Sequence, residues 1–227
     1  MCIRDSNWVA EYRTPAGARR EVMLADHSRV VLNTSTAMDV LFDAQQRLIA
    51  LHAGEILVET APDPERIARP FIVRTREGSI TALGTRFVVR RDDGVSAVQV
   101  LEGAVRVAPR GVAADGAVVV PAGMGLRFGD GLAGRPEPIA GDPSAWQHGM
   151  LQVDGMPLRQ FLAELQRYRS GWIECAPEVA HLPISGAFPL GDIDRVLATV
   201  ADTLTLQVRY RTRYWVSVLP RGGKTNL

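Results

Sequence analysis

The chain has 227 residues, 46% hydrophobic and 22% charged, an ordinary folded composition with room for one large or two small cores. Twenty-six Lys and Arg against 25 Asp and Glu leave a net charge of +1, so no overall basic field exists to gather phosphate backbones, and nucleic acid is not an expected partner. Cys2 and Cys175 make no disulfide framework or C-x-x-C pair, and His27, His52, His148 and His181 show no metal-ligand spacing, so neither a metal nor a cofactor is expected.

The opening residues MCIRDSN have neither a basic nor an apolar signal region and match nothing downstream; residues 1–7 are expected to be a non-native or artefactual start. Residues 8–128 are expected to form one all-β domain: from Ala18 to Phe128 the apolar residues mostly alternate or come in short β-branched runs broken by Gly, Asp and Pro, which predicts about ten short strands with no helix between them. Close spacing and tight turns indicate an antiparallel sandwich, barrel or prism rather than a parallel sheet with crossover helices. An internal repeat pairs LIALHAGEILVET (48–60) with AVQVLEGAVRVAP (97–109). Each copy reads as one hairpin, with Gly54 and Gly103 where the chain reverses and a positive φ is needed.

Residues 129–145 concentrate Gly and Pro and read as a linker. The period then changes. Leu158, Phe161, Leu162, Leu165 and Tyr168 fall on one helical face, and Ile193, Val196, Leu197, Val200 and Leu204 repeat the pattern after the N-cap candidate Asp192. Strand-like pieces flank both helices, so residues 146–220 read as a small α+β domain with both helices on one sheet face, followed by a tail, 221–227.

No catalytic constellation stands out, and the chain is not expected to be an enzyme. Asp26-His27-Ser28 holds the groups of a nucleophilic triad, but chain neighbours splay apart and cannot converge as a triad must, so the run reads as a turn. Asp92-Asp93-Gly94 and Asp130-Gly131 lack the spacing of a calcium loop and also read as turns.

RPFIVRTREGSITALGTRFVVR (69–90) resembles the core of FecR-type proteins, regulators of extracytoplasmic-function sigma factors, in its R-P-F lead-in (Arg69, Pro70, Phe71) and its A-L-G-T-x-F strand (Gly84, Thr85, Phe87). EVMLADHSRVVLN and VQVLEGAVRV are similar to two further family segments in the right order, with His27 where the family usually has glycine. Residues 146–220 resemble the short signalling domain at the start of secretins and TonB-dependent transducers. The resemblance implies a β-prism-like or sandwich-like body followed by a βαββαβ docking domain. It also implies a sigma-binding cytoplasmic domain and one transmembrane helix, neither found in these 227 residues, so the chain reads as the periplasmic region of a single-pass inner-membrane protein.

The partner so implied is the signalling domain of a TonB-dependent outer-membrane receptor, of the siderophore or ferric-chelate kind, with the sigma factor reached through the cytoplasmic domain. Trp172, Ile184 and Phe188, on strands between the two helices, are the candidate anchors. Gly84, inside the A-L-G-T stretch, is expected in a strand with close backbone packing. The alternative reading is a periplasmic carbohydrate- or peptidoglycan-binding β module, which requires an exposed aromatic platform on the first domain.

Overall fold

The structure, a computed structural model, describes residues 10–221 apart from Arg66, Asp93, Ala114, Asp115 and Asp130, so the expected artefactual start and residues 222–227 of the tail lie outside the described residues. Two compact units divide the chain, residues 1–139 and 140–227.

The first unit is built from β1 (Tyr12–Arg13), β2 (Arg20–Met23), β3 (Arg29–Leu32), β4 (Ala37–Phe42), β5 (Arg47–Glu59), β6 (Phe71–Arg74), β7 (Gly78–Ala82), β8 (Arg86–Asp92), β9 (Val95–Glu102), β10 (Ala104–Pro109), β11 (Val118–Pro121), β12 (Met124–Gly129), β13 (Leu132–Ala133) and β14 (Glu137–Pro138). Period-two burial drives their formation: along β9, Ser96, Val98 and Val100 are buried and the residues between them are not. All 14 strands join one nearly barrel-shaped sheet.

The long strand β5 makes this continuity possible. Residues before Gly54 pair with β4 and, in parallel, with β6; residues from Gly54 onward pair with β8 and β3. One core fills the space between the two halves of the sheet, with Ile49, Phe71, Ile80 and Val107 from one half and Val30, Ile56, Phe87 and Val98 from the other.

Here the structure corrects the sequence reading. Gly54 and Gly103 do not reverse hairpins. Gly54 (φ +86°) bends β5 as it passes between the halves, and Gly103 (φ +74°) joins β9, paired with β8 and β12, to β10, paired with β7 and β11. Both are corners. A Cβ on Gly54 would lie 2.6 Å from Thr36 Cα and 2.8 Å from Ser35 O. Thr36 Oγ1 also accepts from Glu55 N at 3.0 Å and donates to Glu55 O at 3.1 Å, pinning the bend. Nor is the body wholly antiparallel, since β5 and β6 run parallel. The stretch 129–145 is not bare linker either: β13 and β14 both pair with β12, because backbone groups along its edge need partners that a Gly/Pro-rich chain can still supply.

The second unit starts with a 3-10 turn, Ala145–His148, then β15 (Met150–Pro157), α1 (Leu158–Gln166), β16 (Trp172–Cys175), β17 (Pro183–Pro189), α2 (Ile193–Thr203), β18 (Leu206–Thr212) and β19 (Trp215–Pro220). The helices bury the faces that the periodicity predicts: Leu158, Phe161, Leu162 and Leu165 on α1, and Ile193, Val196, Leu197 and Val200 on α2. Asp192 caps α2, its carboxylate accepting from Arg195 N at 3.0 Å. Instead of one sheet there are two, β15 with β17, and β16 with β19 and β18 in the order β16-β19-β18. The helices pack against both, α1 on β15, β16 and β17, and α2 on β17 and β18. Pro183 and Pro189 bracket β17 and remove donors at both its ends, which suits a strand with one neighbour.

Candidate docking surface

The motif residues of the first unit have structural work. Arg69 donates to Asp63 through Nε and Nη2 and to Asp43 O through Nη1, while its own carbonyl accepts from Arg47. Arg47 in turn pairs with Asp26 at 2.7 Å, both side chains buried. The backbone carbonyl of Pro70 accepts from Arg47 N, and buried Phe71 packs edge-on against Phe42. The R-P-F lead-in thus clamps the start of β6. The hydrogen-bonded Arg69 guanidinium holds the Asp63 carboxyl far below the usual carboxylate range. A second network joins Arg91 Nε, Ser96 Oγ and Glu77, whose pKa burial would raise but Arg91 and Ser96 bring below its ordinary value.

Asp26, His27 and Ser28 form the expected turn. Asp26 accepts from Ser28 N at 2.9 Å and from Ser28 Oγ at 2.7 Å, while His27 is exposed with φ +65°. Asp93 and Asp130, in the other expected turns, lie outside the described residues. Among the described residues, no group of three or more His, Cys, Asp or Glu is arranged to hold a metal.

Gly84 needs correcting too. It lies in the exposed turn between β7 and β8 with φ +80°, and a Cβ there would meet nothing within 4 Å. Its positive φ, not packing, makes glycine suitable there. The crowded position is Gly103, whose Cβ would lie 2.9 Å from Thr85 Cγ2 and closer still to Gly84 O. Beside this turn lies an open polar depression of about 460 Å³, lined by Glu59, Thr60, Gly84, Thr85, Arg86 and Glu102. Arg86 Nε already satisfies Glu59 at 2.9 Å, so the depression offers little unspent charge.

The three candidate anchors separate. Ile184 is buried, and half-buried Phe188 packs its ring 4.7 Å from Phe161, so neither is an accessible anchor; both belong to the core under α1. Trp172 is 61% exposed. It pairs in register with exposed Trp215 across the parallel β16/β19 ladder, and Tyr214 and Tyr210 are also exposed. Arg211 stacks 5.0 Å from the Trp215 ring centroid and Arg213 4.5 Å from that of Tyr214. Trp215 Nε1 donates to Glu174 at 3.4 Å, and Ser217 Oγ donates to the same carboxylate at 2.9 Å. Sequence reasoning named Trp172 but could not see its partner, 43 positions away. The alternating R-Y-R-T-R-Y-W run was the available signal.

The ordered segments 21–33, 69–90 and 98–107 now stand as β2/β3, β6 to β8 and β9/β10 of one sheet, and residues 10–106 match the family described as FecR protein. Through this region the chain is similar to the FecR family. Two crystal structures of a candidate anti-sigma factor from Parabacteroides distasonis ATCC 8503 share the fold of this chain. One, at 1.65 Å, has a TM-score of 0.75 and 22% identity over 93% of this chain and 99% of its own; the other, at 2.50 Å, has a TM-score of 0.73 and 22% identity over 93% and 98%. No curated protein matches. No helix among the described residues is long and apolar enough to cross a membrane.

Proposed function

We propose that the chain is the sensing and relay region of a FecR-type regulator of an extracytoplasmic-function sigma factor, and that it binds and transmits without catalysing a reaction. The observation that carries this reading is the FecR match over residues 10–106, followed by a small βαββαββ unit. The similar fold of the candidate anti-sigma factor supports it. The region lies in the periplasm, anchored by a single inner-membrane helix. The second unit receives the signalling domain of a TonB-dependent outer-membrane receptor loaded with an iron chelate, and the FecR body passes the signal to a cytoplasmic domain that holds the sigma factor.

The carbohydrate-binding alternative gains no support in the first unit. Phe71, Phe87 and Phe128 are buried and Tyr12 and Phe42 partly so, leaving no exposed aromatic platform among its described residues; Trp8 lies outside them. A transcriptional reporter tests the proposal. In cells carrying the intact regulator, deleting residues 140–221 should abolish receptor-triggered transcription from the sigma-dependent promoter. An undiminished response would refute the role given to the second unit.

A further inference from the structure

We infer that the docking surface is the Trp172/Trp215 end of the β16-β19-β18 sheet together with the β18–β19 turn, and that its partner presents an acidic, apolar-centred protein face. This inference rests on the relay reading above and names the surface that serves it. Ile184 is buried and half-buried Phe188 is packed on Phe161, so recognition falls chiefly to the aromatics that remain exposed. Trp172 and Trp215 stand side by side on adjacent strands, and exposed indoles at such density form the desolvated centre of an interface once covered.

The surface is held in place before any partner arrives. Trp172 N donates to Tyr214 O at 2.6 Å, which draws the β18–β19 turn against the start of β16. Gly171, at φ +111°, permits that crossing, since a Cβ there would lie 2.8 Å from Tyr214 Cα. Glu174 fixes the Trp215 indole from below, and Arg211 lies over its face. A prepositioned surface loses less side-chain entropy on association than a mobile one.

Charge selects the partner. From residue 203 to 221 the chain carries Arg209, Arg211, Arg213 and Arg221 and not one Asp or Glu, although the whole chain is nearly neutral. Two carboxylates lie nearby, Glu174, hydrogen-bonded by Trp215 and Ser217, and Asp194, which accepts from the Tyr210 hydroxyl and pairs with Arg169, so the arginines outnumber the acids. Arg211 and Arg213 stack on rings rather than on acids, so their guanidinium edges keep donors for carboxylates. Arginine beside tryptophan and tyrosine is the composition that dominates interface energetics, and an unmatched positive rim steers an acidic partner toward it.

The test titrates the signalling domain of a TonB-dependent outer-membrane receptor of the same organism into the whole 227-residue chain. The double variant Trp172→Ala/Trp215→Ala and the charge reversal Arg211→Glu/Arg213→Glu should each weaken binding by about 30-fold or more. Wild-type affinity should fall on the order of tenfold between 50 and 300 mM NaCl. If the tryptophan variant melts early, the reversal decides alone, because Arg211 and Arg213 are exposed. Wild-type affinity in a folded reversal variant overturns the surface and leaves the relay reading standing. Failure of the wild-type chain to bind removes both. Should chitohexaose quench the tryptophan fluorescence of the wild type and not of Trp172→Ala, the surface is a sugar platform and the inference is overturned.

Discussion

Gly84 and Gly103 share a backbone conformation and differ in surroundings, so one substitution at each separates two physical effects. At Gly84 an added methyl meets open space, and Gly84→Ala should cost only the left-handed strain, about 1–2 kcal/mol. At Gly103 the same strain applies at φ +74°, and the methyl also runs into Gly84 O and Thr85 Cγ2, forcing the corner away from the β7–β8 turn. Overpacking of this kind adds about 1–3 kcal/mol, so Gly103→Ala should cost about 2–5 kcal/mol in all. Urea titrations of the whole chain, followed by far-UV circular dichroism, measure both. The difference between the variants matters more than either value, since the strain cancels in it. If the two destabilise equally within about 0.5 kcal/mol, the corner contact carries no energy and the account of Gly103 is wrong.

Other expectations follow from the same contacts. Asp26→Ala should destabilise by about 2–3 kcal/mol, because it removes the nearer carboxylate from buried Arg47 and leaves it Asp63 at 3.8 Å and the Arg69 and Ala61 carbonyls, and a cost below about 1 kcal/mol in urea melts would show that water reaches the pair. Asp63 and Glu77 have pKa values depressed in the fold, so their contributions are present above the unfolded values near pH 4 and are lost as pH falls further; melting temperature should decline steeply below about pH 4, and Asp63→Asn should flatten that decline. Phe188→Ala should cost about 1–3 kcal/mol, less than a fully buried phenylalanine, through its packing on Phe161, while binding of the proposed receptor domain by the folded fraction is unchanged; a weakened affinity with unaltered melting would make Phe188 an anchor after all. Limited proteolysis should cut first near exposed Ala140–Asp142, and early cleavage inside the β12–β14 pairings would place the boundary elsewhere.

Both helices were legible within a few residues, because an amphipathic stripe is a local pattern and burying it needs only some apolar layer nearby. Most strands were legible for a similar reason. The corners were not. Strand, glycine, strand describes a hairpin and a chain passing between sheet halves equally well, and what decides is that β5 pairs with β4 and β6 before Gly54 and with β3 and β8 after it, which the local pattern around the glycine does not carry. The docking surface was half legible: Trp172 was named, but its apposition to Trp215 depends on a parallel pairing across α2. Ile184 and Phe188 misled because an apolar residue on a short strand reads the same whether it faces a partner or the underside of α1.

Hydrogen–deuterium exchange on the whole chain, with and without the signalling domain of a TonB-dependent receptor of the same organism, tests the proposed docking most directly. Docking through the second unit predicts slowed exchange in β16, β18, β19 and the turn at Arg213-Tyr214, with the strands of residues 10–139 unchanged. Protection confined to residues 10–139, with β18 and β19 exchanging as in the free protein, would contradict it.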